Sequence, residues 1–167
     1  SMMLQGQRRA YAARYDPKDN YFYAAVSEVT EMKPLDVSNP AFFALFNETK
    51  DRARELGKFY EVPDEAIRQV VDGARDPGAF TDRVAGFLDL PTKDKQTLLE
   101  TLDVEERMRM LLMHLEQRIG IQKAQQKIKN KVQENLGERQ EEMYLREQLK
   151  AIRKELAKNI PQTSGKE

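Results

Sequence analysis

A chain of 167 residues holds one domain's worth of core or slightly more, and its 28 basic and 28 acidic residues leave no formal net charge and so no global attraction to nucleic acid or membrane surfaces. The absence of cysteine excludes a disulfide framework and thiolate chemistry and suits a reducing compartment, with the cytoplasm as the expected location. No run of about 18 apolar residues is present, and the N-terminus lacks the basic-then-apolar layout of a signal peptide, so neither a membrane span nor secretion is expected.

Ser1-Met2 reads as a cloning remnant and is set aside. Residues 7–15 and 21–29 are rich in aromatic or β-branched side chains, and Asp16-Pro17-Lys18-Asp19-Asn20 between them is a turn cluster. The pattern predicts a hairpin with a five-residue loop, filling residues 1–33. A lone two-stranded hairpin is marginal in water, and its edges invite pairing. It is therefore either the end of a larger sheet or a hairpin packed on helices. Glu31 to Asn39 reads as a linker.

Asn39 as N-cap with Pro40 at the first helical position starts a helix. Phe42, Phe43, Leu45, Phe46, Ala53, Leu56 and Tyr60 form its apolar stripe, and a buried core anchor is favoured over an exposed patch. Pro63-Asp64 opens a short helix with Ile67, Val70 and Val71, stopped near Gly73. Asp76-Pro77 opens another with Phe80, Val84, Phe87 and Leu88. Thr92 caps a third, Lys93 to Leu102, with Leu98, Leu99 and Leu102 inward. Such short connections suit a helical bundle over 34–120, packed on Val104–Leu115.

From Asp103 to Lys158 there is no proline, and apolar residues recur every three or four positions. Asp103 as N-cap with Glu106 three residues on gives a capping-box-like start. The prediction is one helix of about 80 Å at about 1.5 Å per residue. Gly120 and Gly137 each cost about 1 kcal/mol relative to alanine. They are either tolerated on an exposed face or the site of a kink. Few neighbours in sequence can cover the distal part, 121–158, which is expected to extend. The residues 159–167 are expected to be a flexible tail.

No catalytic constellation is evident, and no catalytic, cofactor-binding or metal-ligating residue is assigned. The sole histidine, His114, is expected at a helix surface or core edge. Neither a Gly-x-Ser-x-Gly elbow nor a phosphate loop occurs. One charge imbalance stands out. Arg118, Lys123, Lys127, Lys129 and Lys131 form a basic strip with no acid, and four glutamates follow between Glu134 and Glu142. The strip is either a set of phosphate contacts or part of a solvated helix that pairs with a copy of itself, basic segment to acidic segment. The second is favoured, because no aromatic residue interleaves the lysines. Leu145, Leu149, Ile152 and Leu156 alternate spacings of four and three, as a self-association seam or partner helix requires.

Met143 to Leu156 reads Met-Tyr-Leu-Arg-Glu-Gln-Leu-Lys-Ala-Ile-Arg-Lys-Glu-Leu. This closely resembles the helix that the Lon family of ATP-dependent proteases carries just before its ATPase module. Asp94–Glu100 and Asp103–Arg107 look like the family's preceding segment, and Gly6–Arg9 with Tyr21–Ala24 resembles the last hairpin of its N-terminal β-domain. The resemblance covers almost all of residues 4–158. It implies a mostly α fold: a β-hairpin remnant, a small helical bundle and one very long C-terminal helix. It also implies a non-catalytic fragment. The family's ATP site, with ATP and Mg, and its Ser-Lys endopeptidase dyad match no position here, and no cofactor is expected. The implied role is to bind unfolded or damaged protein substrates and to support a homo-hexamer alongside the ATPase–protease domains. Met108, Met110 and Met113 are the candidate substrate-binding residues, since methionine adapts to varied partners; plain core is the competing reading. The alternative functions are a self-associating helical or coiled-coil scaffold and a weak nucleic-acid-binding module using the 118–131 strip. After Glu155-Leu156 the family continues Gly-Glu, where this chain has Ala157-Lys158-Asn159.

Overall fold

The computed structural model describes residues 6–34, 36 and 38–159; apart from Asn159, the expected tail lies outside the described residues. The chain is mostly α, with β1 (Ala10–Lys18), β2 (Tyr21–Glu28), α1 (Pro40–Phe59), α2 (Asp64–Val71), α3 (Pro77–Phe87), α4 (Thr92–Glu100) and α5 (Val104–Lys158). It divides into two compact units, Ser1–Gly120 and Ile121–Glu167.

The hairpin is antiparallel, with Lys18 opposite Tyr21 and Ala10 opposite Glu28. Its turn is two residues, Asp19 and Asn20, rather than the five-residue loop the turn cluster suggested. Pro17 belongs to β1 and pairs with Phe22. A proline is tolerated there because both strands of a two-stranded ribbon are edges. Between Ala12 and Arg14 the register shifts, leaving Ala13 as a bulge. The expected linker is also partly ordered: Met32 forms a parallel bridge to Asp103, its N–H donating to Leu102 O at 2.9 Å while Val104 N donates to Met32 O at 3.1 Å.

Side chains that satisfy backbone donors start three of the helices. Asn39 Oδ1 accepts from Ala41 N at 2.9 Å, Asp76 Oδ1 from Ala79 N at 3.0 Å, and Asp103 Oδ1 from Glu105 N and Glu106 N at 2.9 and 3.1 Å. Pro91, not Thr92, occupies the N-cap of α4, and that helix ends at Glu100, short of Leu102. Leu56, Ile67, Val71, Phe80, Val84, Leu88, Leu90 and Leu98 pack with Leu111, Leu115 and Ile119 of α5 in one core. Phe46 meets Phe80 edge-on at 5.4 Å between ring centres. Of the predicted α1 stripe, Phe42 and Leu56 are buried, whereas Phe43 and Tyr60 are exposed. Adjacent residues lie about 100° apart on a helix, so Phe42 and Phe43 cannot share one face. Thr49 and Thr81 are buried within helices, each hydroxyl donating to the carbonyl four residues back at 2.7 Å.

The α-helix continues through both Gly120 and Gly137, with no heavy atom within 4 Å of where either Cβ would sit. These positions have room for a side chain and are not packing contacts. Opposite outcomes are expected for two kinds of substitution. Leu115→Ala should lower the stability of the helical core by about 2–5 kcal/mol. Gly137→Ala should add up to about 1 kcal/mol of local helix stability. Thermal and denaturant unfolding followed by circular dichroism checks both.

Candidate functional site

Three features of the surface and its supports could carry function. The first is a charge cluster where the base of the hairpin meets α3 and α5. Arg107, in the first turn of α5, is fully buried. Its Nη1 donates to Thr101 O at 2.9 Å and its Nη2 to Glu31 Oε1. Arg107 Nε lies 3.3 Å from Asp82 Oδ1 but lacks hydrogen-bond geometry, so that contact is electrostatic only. Arg9 approaches the same carboxylates from the hairpin side. Its Nη1 and Nη2 donate to Asp82 at 2.7 and 2.6 Å, its Nε donates to Leu99 O at 3.1 Å, and Nη1 also reaches Glu31. Burial pulls the Arg9 pKa down, but the hydrogen bond and charge of Asp82 and the charge of Glu31 outweigh it, and the guanidinium is held above its ordinary value. Gly78 of α3 lies against the cluster: a Cβ there would lie 2.8 Å from Glu31 Oε2, 3.2 Å from Asp76 Oδ1 and 3.3 Å from Arg107 Nη2, so these side-chain ends would have to shift. Beside the cluster is a cleft of about 310 Å³ lined by Glu31, Lys33, Pro34, Arg75, Asp76, Pro77, Gly78 and Val104.

The second feature is exposed apolar surface on α5. Every residue from 123 to 159 is exposed. Ile121, Ile128, Val132 and Leu136 form one row, and Leu145, Leu149, Ile152 and Leu156 another. Leu136 and Leu145 are nine positions apart, which at about 100° per residue puts the second row about half a turn away from the end of the first. The two rows therefore face different directions. Among the three methionines, Met108 is fully buried, Met110 packs against the core, and Met113 is 58% exposed. Met108 thus has no surface to offer in the folded chain. His114 is buried at the same level of α5.

The third feature is the basic strip. Arg118 Nη2 donates to the backbone carbonyl of Asp89, tying its side chain to the end of α3's following segment. Lys123, Lys127, Lys129 and Lys131 are exposed on the distal helix. Among the described residues no group of three or more His, Cys, Asp or Glu side chains could hold a metal ion, and no helix is long and apolar enough to cross a membrane.

The charge cluster had no sequence signal, because its members lie 22, 73 and 76 positions apart. The hairpin's apolar face did. Ala12, Tyr15, Pro17, Phe22, Ala24 and Val26 fall on one side once the bulge is allowed for, and Tyr15, Phe22 and Val26 are exposed.

A family model for the substrate-binding domain of ATP-dependent protease La (LON) matches residues 1–117. Lon protease 1 of Sorangium cellulosum is 44% identical over 155 residues, covering 93% of this chain and 19% of the relative. The Lon proteases of Brevibacillus choshinensis and Desulfosudis oleivorans are 33% and 34% identical, each over 93% of this chain and 20% and 19% of their own length. The chain thus spans about a fifth of the curated relatives it matches.

The space at residue 78 is testable. Gly78→Ala should push against Glu31 and Arg107 and cost about 1–3 kcal/mol, the usual penalty of overpacking. Gly86→Ala, with no atom within 4 Å, should not cost stability. Equilibrium unfolding of the two variants side by side measures the difference.

Proposed function

The chain belongs to the Lon family of ATP-dependent proteases, and from that premise we propose that it is the part of such an enzyme that engages protein substrates, acting by binding and not by bond cleavage. Unfolded or damaged polypeptide in the cytoplasm would be held here while the ATPase, with its ATP and Mg, and the Ser-Lys protease of the same polypeptide act on it. The observation that carries this reading is the uncovered row Ile121, Ile128, Val132 and Leu136. Met113 adds an exposed, adaptable side chain of its own.

The strength of such a surface suits transient capture. Fully burying an aliphatic side chain contributes about 1.5–3 kcal/mol, and these are already partly covered by their own helix. Three or four partial burials, offset by the entropy of ordering the substrate segment, leave affinity in the millimolar to micromolar range, about −4 to −8 kcal/mol. Several copies in one assembly would raise it by avidity.

The second row supports a second role. Leu145, Leu149, Ile152 and Leu156 have the four-three-four spacing of a helix-pairing seam, exposed along its length. It would join sister subunits of a hexamer and leave the first row for substrate. The basic strip as a nucleic-acid contact is less supported, because Arg118 is engaged by Asp89 O.

Binding of a fluorescently labelled, permanently unfolded polypeptide to the chain tests the capture role. The triple change Ile128→Ser, Val132→Ser and Leu136→Ser should weaken it by at least about tenfold, or about 1.4 kcal/mol, with helicity intact. Equal affinity would overturn the role assigned to this row. Light scattering against concentration tests the second row: any rise in mass should vanish in Leu149→Ser with Ile152→Ser. Should the strip bind nucleic acid instead, affinity must fall steeply with salt.

A further inference from the structure

None of residues 10–28 is buried, and none belongs to the apolar core of the helices. The hairpin is closed at its base by Val29 N donating to Arg9 O at 3.1 Å and by the Arg8–Glu28 ion pair. Its attachment to the helices runs through Arg9, which grips Asp82 of α3 and the Leu99 carbonyl of α4 and shares Glu31 with Arg107. Beyond it the chain is fixed again at Met32, by the two-bond bridge around Asp103. Thr30 lies between the closed hairpin base at Val29 and Glu31, whose carboxylate Arg107 holds.

The members of the cluster are unequally protected. The Arg107 side chain is 1% exposed and Glu31 25%, whereas Asp82 is 42% exposed. Water and ions therefore reach the Arg9–Asp82 contact more readily than the Arg107–Glu31 contact. Exposed pairs are screened by salt and buried pairs much less. Removing Arg9 leaves Arg107 with Glu31, Asp82 and Thr101 O, so the buried guanidinium is not orphaned.

We propose that the hairpin is a charge-latched arm, held on the helical unit by the Arg9 grip on Asp82 and Leu99 and able to release, pivoting at Thr30, while the helical core stays folded. The latch is ionic, so its closure depends on salt, unlike apolar packing. Release re-aims the face carrying Tyr15, Phe22 and Val26. The inference does not depend on what the distal helix binds.

Hydrogen exchange of the whole 167-residue chain, read peptide by peptide, tests it. In Arg9→Met, amides of residues 10–28 should exchange at least about tenfold faster, while those of 108–119 stay within about twofold of the unmodified chain. Asp82→Asn, which weakens the same contact from the other side but also removes a charge beside Arg107, should likewise speed exchange in 10–28, with 108–119 judged on Arg9→Met alone. Raising NaCl to about 1 M should move the unmodified hairpin in the same direction, with a smaller effect in Arg9→Met. Unchanged hairpin exchange in both variants would show that no latch exists. Joint loss of protection in the hairpin and in 108–119 would show one cooperative unit and overturn the proposal equally.

Discussion

Cover for α5 runs out at Ile119. Val104, Met108, Leu111, Leu115 and Ile119 are buried, the last three in one core with residues of α1 to α4 and the links between them, and no later residue of the helix is buried. Full burial of an aliphatic side chain stabilises by about 1.5–3 kcal/mol, so Leu111, Leu115 and Ile119 together provide on the order of 5–9 kcal/mol. That is comparable with the net stability of a whole domain, about 5–15 kcal/mol. The short helices and the packed part of α5 thus depend on each other. The distal part depends on something else. A helix without tertiary packing is sustained by propensity, by propagation from turns already formed, and by pairs such as Glu142–Arg146 and Tyr144–Gln148.

Beside this apolar core sits a polar one of a different kind. Arg107 is removed from water at the start of α5, where desolvation of a guanidinium costs several kcal/mol unless carboxylates and carbonyls replace the lost solvent. Glu31, Asp82 and Thr101 O do so. Replacing such a group by an apolar residue is often neutral for stability, so its value lies in geometry. It sets where the segment around Glu31 and Met32 meets α5. Gly78 is part of the same solution, because a side chain at that point would occupy the space the carboxylate needs.

Periodic signals in the sequence translated well into structure, and long-range ones were silent. The caps at Asn39, Asp76 and Asp103 are local chemistry, and each accepts the backbone donors its position predicts. The long helix is legible from uninterrupted spacing, and the family from the Met143–Leu156 motif and the segments before it. The turn was misjudged because Pro17 suggests a loop wherever strand pairing is unknown, while an edge strand accommodates it. Met108 and Met113 looked alike because both lie on a helix of known period whose buried face was not known. Five positions set them about 140° apart, so one enters the core and the other faces solvent. Arg9, Glu31, Asp82 and Arg107 could not be grouped at all, since charged residues scattered along a chain that is 34% charged carry no pairing code.

The two uncovered rows of the distal helix constrain each other. If Ile121 to Leu136 continued in line with Leu145 to Leu156, one partner helix could cover both, and pairing would remove the surface left for any other ligand. The nine-residue step between Leu136 and Leu145 prevents that by turning the second row about half a revolution from the first row's end. A partner seated on the second row leaves the first open, and the lysines at 127, 129 and 131 keep that open row soluble in the meantime. Met143, seven positions after Leu136 and so about 20° from it, continues the first row's face, and Tyr144 is exposed between the two rows. A helix arranged in this way presents apolar rows in different directions, so that covering one leaves the other exposed.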